Sequence, residues 1–466
     1  MNNNAQPHAG KRLDRLPTSR FHWQIFAMVA FGLLVNWSNA IGGIMLAQLA
    51  EIGWTNNTLT AIFSSLTTAG MFFGALLGGI VGDKFGRRNS YLLFIALHIC
   101  SMLVGAVSPN MTFLIITRIV MGFALGALLT VLFACYTEYV PSRIRGTWSS
   151  RASFIGNWSY PICSLIAMFI TPLVTPNMNW RIQLVIPAIL STVVCLVVWR
   201  KFPESPRWLE AKGRYAEANV ILDKIEKNVE SSTGKKLEKI ADDTLAEAKP
   251  KVIQIPYSDL FRGELFKRVI LGSLILVSMN VVQYTLINWL PTIFLSQGIN
   301  LKNSVLLNTM SMFGAPIGIF IAVLIIDRIP RKIMGSGLLI IIAILGYLYS
   351  LQKSMTMISV LGFFLIIFVY MYVCYASAVY VPEIWPTAAK LRGSGLANSV
   401  GRISGILAPY AVAYLLTTTG VTGVFIFLGA ISLITAVIIM ALGIETRNES
   451  VEDIGKADMD GKVTTK

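Results

Sequence analysis

The chain has 466 residues, 55% of them hydrophobic and only 14% charged, with a mean hydropathy of +0.65. Soluble globular chains carry roughly 25% charged residues, so an ordinary soluble fold is excluded. The net charge of +15 is distributed between apolar runs rather than gathered on one stretch, and no nucleic-acid role is expected.

Residues 1–20 form a polar tail with Lys11, Arg12, Arg15 and Arg20. Twelve apolar runs follow, each long enough to cross a bilayer as a helix. They are expected at 21–48, 57–82, 89–108, 111–139, 150–174, 181–202, 268–296, 303–326, 333–352, 355–381, 393–417 and 421–444. The expected fold is an all-α membrane protein of twelve transmembrane helices in two six-helix halves, 21–202 and 268–444. Between them, 203–267 mixes Lys, Glu and Ala, which suits short amphipathic helices under the bundle; 445–466 is a second polar tail. The five cysteines all lie inside apolar runs without metal spacing and read as packing residues. No metal, cofactor or catalytic constellation is expected.

Lysine and arginine in the short connections set the orientation. With the first tail inside, the inner segments hold fifteen of them and the outer loops only Arg181, Lys302 and Lys353. Both termini and the central loop are therefore expected in the cytoplasm, with the chain in the cell membrane.

A charged string repeats. Asp83-Lys84-Phe85-Gly86-Arg87-Arg88 lies between the second and third runs, and Asp327-Arg328-Ile329-Pro330-Arg331-Lys332 between the eighth and ninth. Asp83 to Asp327, Glu138 to Glu383 and Gly146 to Gly393 are separated by 244, 245 and 247 residues. One interval kept three times indicates a duplicated chain. Gly70, Gly74, Gly78 and Gly82 lie four apart on the second run, with Gly122 and Gly126 on the fourth. That spacing lets helix backbones approach closely in lipid.

These motifs resemble the major facilitator superfamily: Gly79 to Arg88 is similar to its loop 2–3 signature, and residues 325–332 to a degenerate second copy. Pro203-Glu204-Ser205-Pro206-Arg207-Trp208-Leu209, Pro382-Glu383-Ile384-Trp385-Pro386-Thr387, Arg118 with Gly122 and Gly126, and Glu445-Thr446-Arg447 resemble the sugar-porter and metabolite:proton-symporter group. The resemblance covers about residues 21–455. It implies secondary transport by alternating access about a site near the membrane midplane, by a monomer.

Asp83, Arg87, Arg88, Glu138, Arg145, Asp327, Arg331, Glu383 and Arg392 are the candidate gating residues, with Glu138 expected to pair with Arg145 and Glu383 with Arg392. Arginine suits such clasps because its planar fork holds a carboxylate bidentately. The alternative for Arg87, Arg88, Arg331 and Lys332 is a purely topological role.

Arg118 and Arg402 lie deeper, within the fourth and eleventh runs, and are the first candidates for substrate contact. A structural arginine bonded to backbone carbonyls is the alternative for each. Proton-coupled relatives carry a carboxylate on the first span; here Asn36-Trp37-Ser38-Asn39 stands there, and no Asp or Glu lies near the middle of any run. His98 could titrate or be structural. Two cations without an intramembrane anion favour a carboxylate substrate. Further candidates are Asn36, Asn39, Gln283, Tyr284, Asn288 and Trp289, with Trp158, Tyr372, Tyr375 and Asn398 weaker, and packing as the alternative for the aromatics.

The leading expectation is a carrier of a small organic anion, uniporter or symporter. A sugar or polyol facilitator is the alternative within transport. A solute-binding membrane sensor is the alternative of another class, disfavoured by a tail of only about twenty residues after the twelfth run.

Overall fold

The computed structural model describes residues 8–141, 145–234, 236–237, 256–386 and 389–446, without the side chains of 145–147, 149–150 and 391. Among these residues, twelve helices or helix pairs are long and apolar enough to cross a membrane. The first six spans are Arg20–Glu51, Asn57–Phe85, Arg87–Ala106, Met111–Tyr139, Arg151–Ile170 and Pro176–Lys201. The second six are Gly263–Ser296, Leu301–Ile325, Arg331–Ser350, Met355–Glu383, Arg392–Thr418 and Gly420–Leu442.

Three spans are interrupted where one unbroken helix was expected. The fifth breaks at Trp158 and the eighth at Phe313. In both, a proline lies three residues on, at Pro161 and Pro316. Its missing N–H and bulky ring release the carbonyl four residues back. The first span breaks between Leu34 and Trp37 without any proline: Val35, Asn36, Ser38 and Asn39 donate three residues back instead of four. The tenth span ends in a π-helical stretch, Cys374–Tyr380.

The glycine rows bring backbones together, as their spacing predicts. A Cβ on Gly70 or Gly74 would overlap the carbonyls of Ile119 and Phe123, and one on Gly314 or Gly318 those of Phe363 and Ile367. All four glycine–carbonyl correspondences are 244 residues apart. The second span thus meets the fourth as the eighth meets the tenth.

The central loop forms helices Pro206–Ala211 and Tyr215–Thr233. Ser205 caps the first by accepting from the Trp208 amide, and Pro206 takes the first turn, where a missing N–H loses no bond. The second buries Ala218, Leu222, Ile225 and Val229, the stripe of an amphipathic helix. Part of the loop, 238–255, lies outside the described residues. The first tail is more than a charged leader. Ala9–Asp14 is a helix, and Arg12 and Arg15 donate to Glu226 at 2.8 and 2.6 Å, with Arg12 also reaching Asp223 and Asn219. Burial raises the Glu226 pKa, but the bonds and charges of Arg12 and Arg15 outweigh it and hold the carboxyl below its ordinary value.

By its internal contacts the chain falls into two compact units. One comprises Met1–Asn39, Ala69–Ser159 and Arg181–Lys249; the other Ala40–Thr68, Tyr160–Trp180 and Pro250–Lys466. The second unit therefore takes the ends of the first, second, fifth and sixth spans around connections 1–2 and 5–6.

Candidate solute site and gating clasps

In the first unit a clasp forms where the second, third and fourth spans meet the segment after the sixth. Arg87, at the start of the third span, donates through Nη1 to Asp83 and through Nε to Glu138, both at 2.8 Å. Glu204 Oε1 accepts from the backbone amides of Arg87 at 2.7 Å and Arg88 at 3.2 Å. It places a carboxylate on the helix N-terminus, where free amides and the helix dipole favour negative charge. Tyr139 donates to the Pro203 carbonyl at 2.8 Å, and Trp208 Nε1 to the Asp83 carbonyl at 2.8 Å. Arg88 points elsewhere, to the Trp199 carbonyl at 2.6 Å.

The second unit repeats the design. Arg331 opens the ninth span and donates to Glu383 at 3.0 Å, to Asp327 at 3.2 Å and to the Ile326 carbonyl. Glu445 Oε1 accepts from the Arg331 amide at 2.9 Å, Tyr380 donates to the Ile444 carbonyl at 3.0 Å, and Thr446 donates to Glu383 at 2.6 Å.

Of the two pairings expected from sequence, one lies outside the described residues and one is corrected. Glu138 is held by Arg87; the side chain of its expected partner Arg145 is outside the described set. Glu383 is held by Arg331, while the Arg392 guanidinium lies 5.0 Å from the Tyr257 ring centroid. The first arginine of the third or ninth span emerges beside the end of the fourth or tenth, and that proximity outweighs nearness in sequence. Glu204, Glu445, Tyr139 and Tyr380 were not among the expected gating residues. The signal was available: Glu204 to Glu445 and Tyr139 to Tyr380 are each 241 residues apart, and each glutamate precedes Ser or Thr.

Of the two deep arginines, Arg118 is 3% exposed and donates through Nη1 to the Ser38 carbonyl at 2.9 Å. It thus serves the interrupted stretch of the first span. Asn36 and Asn39 flank that carbonyl, with Asn39 buried. His98, on the third span, is fully buried, and both ring nitrogens lack a hydrogen-bond partner among the described residues.

Arg402 belongs to the second unit and differs from Arg118. It lies twelve residues into the helix Lys390–Thr418, half-buried, and no described residue hydrogen-bonds or ion-pairs with it. Asn398 is one turn away on the same face and exposed. Gly401 and Gly405 press this helix onto the seventh span, against Asn280 and the Tyr284 ring. The structure therefore brings Arg402, Asn398 and Tyr284 to one helix seam; Gln283, like Tyr284, is half-buried. Asn288 is 7% exposed, Trp289 1%. Tyr372 and Tyr375 are buried in a stack, rings 5.9 Å apart, that continues to Tyr380. Tyr372 also bonds Ser278 at 2.9 Å. Trp158, 37% exposed, sits at the break of the fifth span, in the first unit.

At the end of the second unit away from its clasp, the first, second and fifth spans close on the seventh, eighth and eleventh. A Cβ on Gly43 would overlap the Ile287 carbonyl. Asn308 and Thr309 bond Ser164 at 3.1 Å each, Ser65 donates to the Ile406 carbonyl at 2.7 Å, and Asn57 to Thr417 at 3.0 Å. Ile44, Ala47, Ala167, Leu301 and Val305 fill the space between. That end is sealed.

Residues 20–457 match the family described as sugar (and other) transporter. Over 96% of this chain and 97% of the relative, the sequence is 67% identical to the metabolite transport protein YdjK of Escherichia coli K12. It is 42% identical to the inner membrane metabolite transport protein YdjE of the same organism, over 96% and 98%. Among solved structures, the partially occluded inward-open xylose transporter XylE of E. coli aligns with a TM-score of 0.72 at 18% identity, over 93% of this chain and all of that one. At that identity the likeness shows the fold.

Proposed function

Because the chain belongs to the sugar (and other) transporter family of the major facilitator superfamily, membrane carriers and not enzymes, we propose that it carries a small organic anion, a carboxylate metabolite, by rocker-switch alternating access. The observation that supports this is the unpartnered Arg402. A guanidinium at this depth is costly without a counter-charge, and a substrate carboxylate can take two parallel N–H bonds from it. A neutral sugar would leave the charge uncompensated. Arg118 has a backbone carbonyl and is assigned to holding the first span. Asn398, Gln283 and Tyr284 would supply further polar contacts to the carboxylate carrier's substrate.

The excess of cations in one set of loops supports cytoplasmic termini in a cell-membrane protein, and the family resemblance carries the expectation of a monomer. The sealed end of the second unit is then the outer gate, and the two clasps belong to the cytoplasmic side, where they would close and part as the carrier cycles. Asn36 cannot exchange a proton, and no carboxylate lies mid-span, which supports uniport or a proton carried by the substrate itself.

Uptake of radiolabelled carboxylates and hexoses into proteoliposomes, with and without a pH gradient, tests this. Carboxylate uptake should fall about tenfold or more in Arg402→Gln, since a hydrogen bond to a charged group contributes about 1.5–3 kcal/mol. Hexose uptake indifferent to Arg402→Gln would make the chain a sugar facilitator.

A further inference from the structure

An apolar groove of about 440 Å³ runs between the first and sixth spans, wholly within the first unit. Phe31, Val35 and Trp37 form one wall and Leu190, Val194 and Val197 the other. Phe31 and Val197 are 57% and 41% exposed, so the groove opens outward from the helices. In a chain that spans the membrane, that side is occupied by hydrocarbon.

The ends of the groove differ. The spans are antiparallel, so Ala27 and Val197 mark one end and Trp37 and Leu190 the other. Beyond Val197, about 6 Å along the helix at 1.5 Å per residue, come Arg200 and Lys201. Beyond Ala27 in the same direction, about 6–10 Å away, come Trp23 and Arg20. Arg20, Arg200 and Lys201 are all exposed, and none has a hydrogen bond or ion pair with any described residue. Trp23 and Trp199 beside them are 50% and 56% exposed. Exposed tryptophans with unpartnered cations mark the headgroup layer of a bilayer. The groove therefore leads from an interfacial cationic mouth into the hydrocarbon zone.

We infer that this groove is a binding site for an anionic phospholipid, its headgroup phosphates met by Arg20, Arg200 and Lys201 and one acyl chain lying between Phe31 and Val194. The dry walls exclude the polar solute, and the three cations favour an anionic headgroup over a zwitterionic one. The clasps leave these cations unused, so the site stands whatever the solute proves to be.

Native mass spectrometry of the full chain, titrated with phosphatidylglycerol or with phosphatidylcholine of the same acyl chains, tests it. The wild type should retain phosphatidylglycerol more tightly. In the triple variant Arg20→Gln/Arg200→Gln/Lys201→Gln, its affinity should fall on the order of a hundredfold, since each cation near an anionic surface contributes about fivefold. Val194→Trp, which fills the groove and keeps the cations, should weaken retention of both lipids. Equal retention of the two lipids by the wild type, or phosphatidylglycerol binding unchanged in the triple variant, would overturn the headgroup assignment. Undiminished retention by folded Val194→Trp would overturn the acyl-chain assignment. All three cations are exposed, so the triple variant is expected to fold.

Discussion

The clasps of the two halves share a ground plan and differ at one backbone position. Each has an arginine opening a span, an exposed aspartate four residues earlier, a glutamate from the next span and a second glutamate on the helix N-terminus. Before Arg87 stands Gly86 at φ 94°, ψ 166°, a conformation only glycine adopts easily, with the Glu204 carboxylate pressed against it. Before Arg331 stands Pro330 at φ −54°, ψ 137°. The capping carboxylate is thus reached by two backbone routes. The first is open to a carboxylate's close approach because there is no Cβ; the second is fixed by a ring. The arginines differ too, with side-chain exposure of 14% for Arg87 and 5% for Arg331. Repetition preserves the charges and their partners, while the backbone that presents them is free to diverge.

The largest effect should come from breaking the more buried clasp. Arg331→Gln strips Glu383 of its arginine and should cost about 3 kcal/mol, read as a lower thermal midpoint in detergent. Arg87→Gln should cost less, about 2 kcal/mol, the scale of a hydrogen bond to a charged group; a reversed order would mean that burial does not rank the two. Gly86→Ala should cost about 1–3 kcal/mol through backbone strain, with the Glu204 contact added, whereas Pro330→Ala should stay below about 1 kcal/mol. Equal losses at the two sites would refute the two-route account. Glu204→Gln and Glu445→Gln should each cost about 1 kcal/mol as a charge leaves a helix N-terminus. Asp83→Asn and Asp327→Asn, exposed i,i+4 partners, should move stability by no more than about 0.5 kcal/mol. Slower uptake in Asp83→Asn at unchanged stability would then report gating; unchanged uptake would remove Asp83 from it.

The smallest change is expected in the N-terminal tail. Glu226 titrates below its ordinary value, so its contribution is complete above the unfolded glutamate pKa of about 4.3 and is lost as pH falls through the lower folded value. Hydrogen exchange over residues 8–16 should therefore show the tail equally docked at pH 8 and pH 5. Release by pH 6 would contradict the Arg12–Glu226 assignment.

The spans were legible because twenty apolar residues in a row admit few structures, and the glycine rows because their spacing marks a face on which another backbone can approach closely; which backbone arrives there is set by the fold. The break in the first span was hidden. No proline or glycine lies between Leu34 and Trp37; the interruption is supported from outside, by Arg118 on the fourth span. The clasp partners were half legible. The charges announced themselves, yet choosing Arg87 for Glu138 requires knowing which helix ends adjoin. Tyr372 and Tyr375 read as cavity candidates because an aromatic stack and a binding wall have the same composition.

Glu204 follows the sixth span and Glu445 the twelfth. During synthesis the third and ninth helices therefore enter the membrane with uncapped N-termini, and each waits for a carboxylate translated more than a hundred residues later. A half can lock its charged end only after its last helix has been delivered. The capping glutamate thereby acts as a completion signal for assembly: in a chain stalled before residue 204, Arg87 can already hold Asp83 and Glu138, but the helix end stays bare and open to quality control.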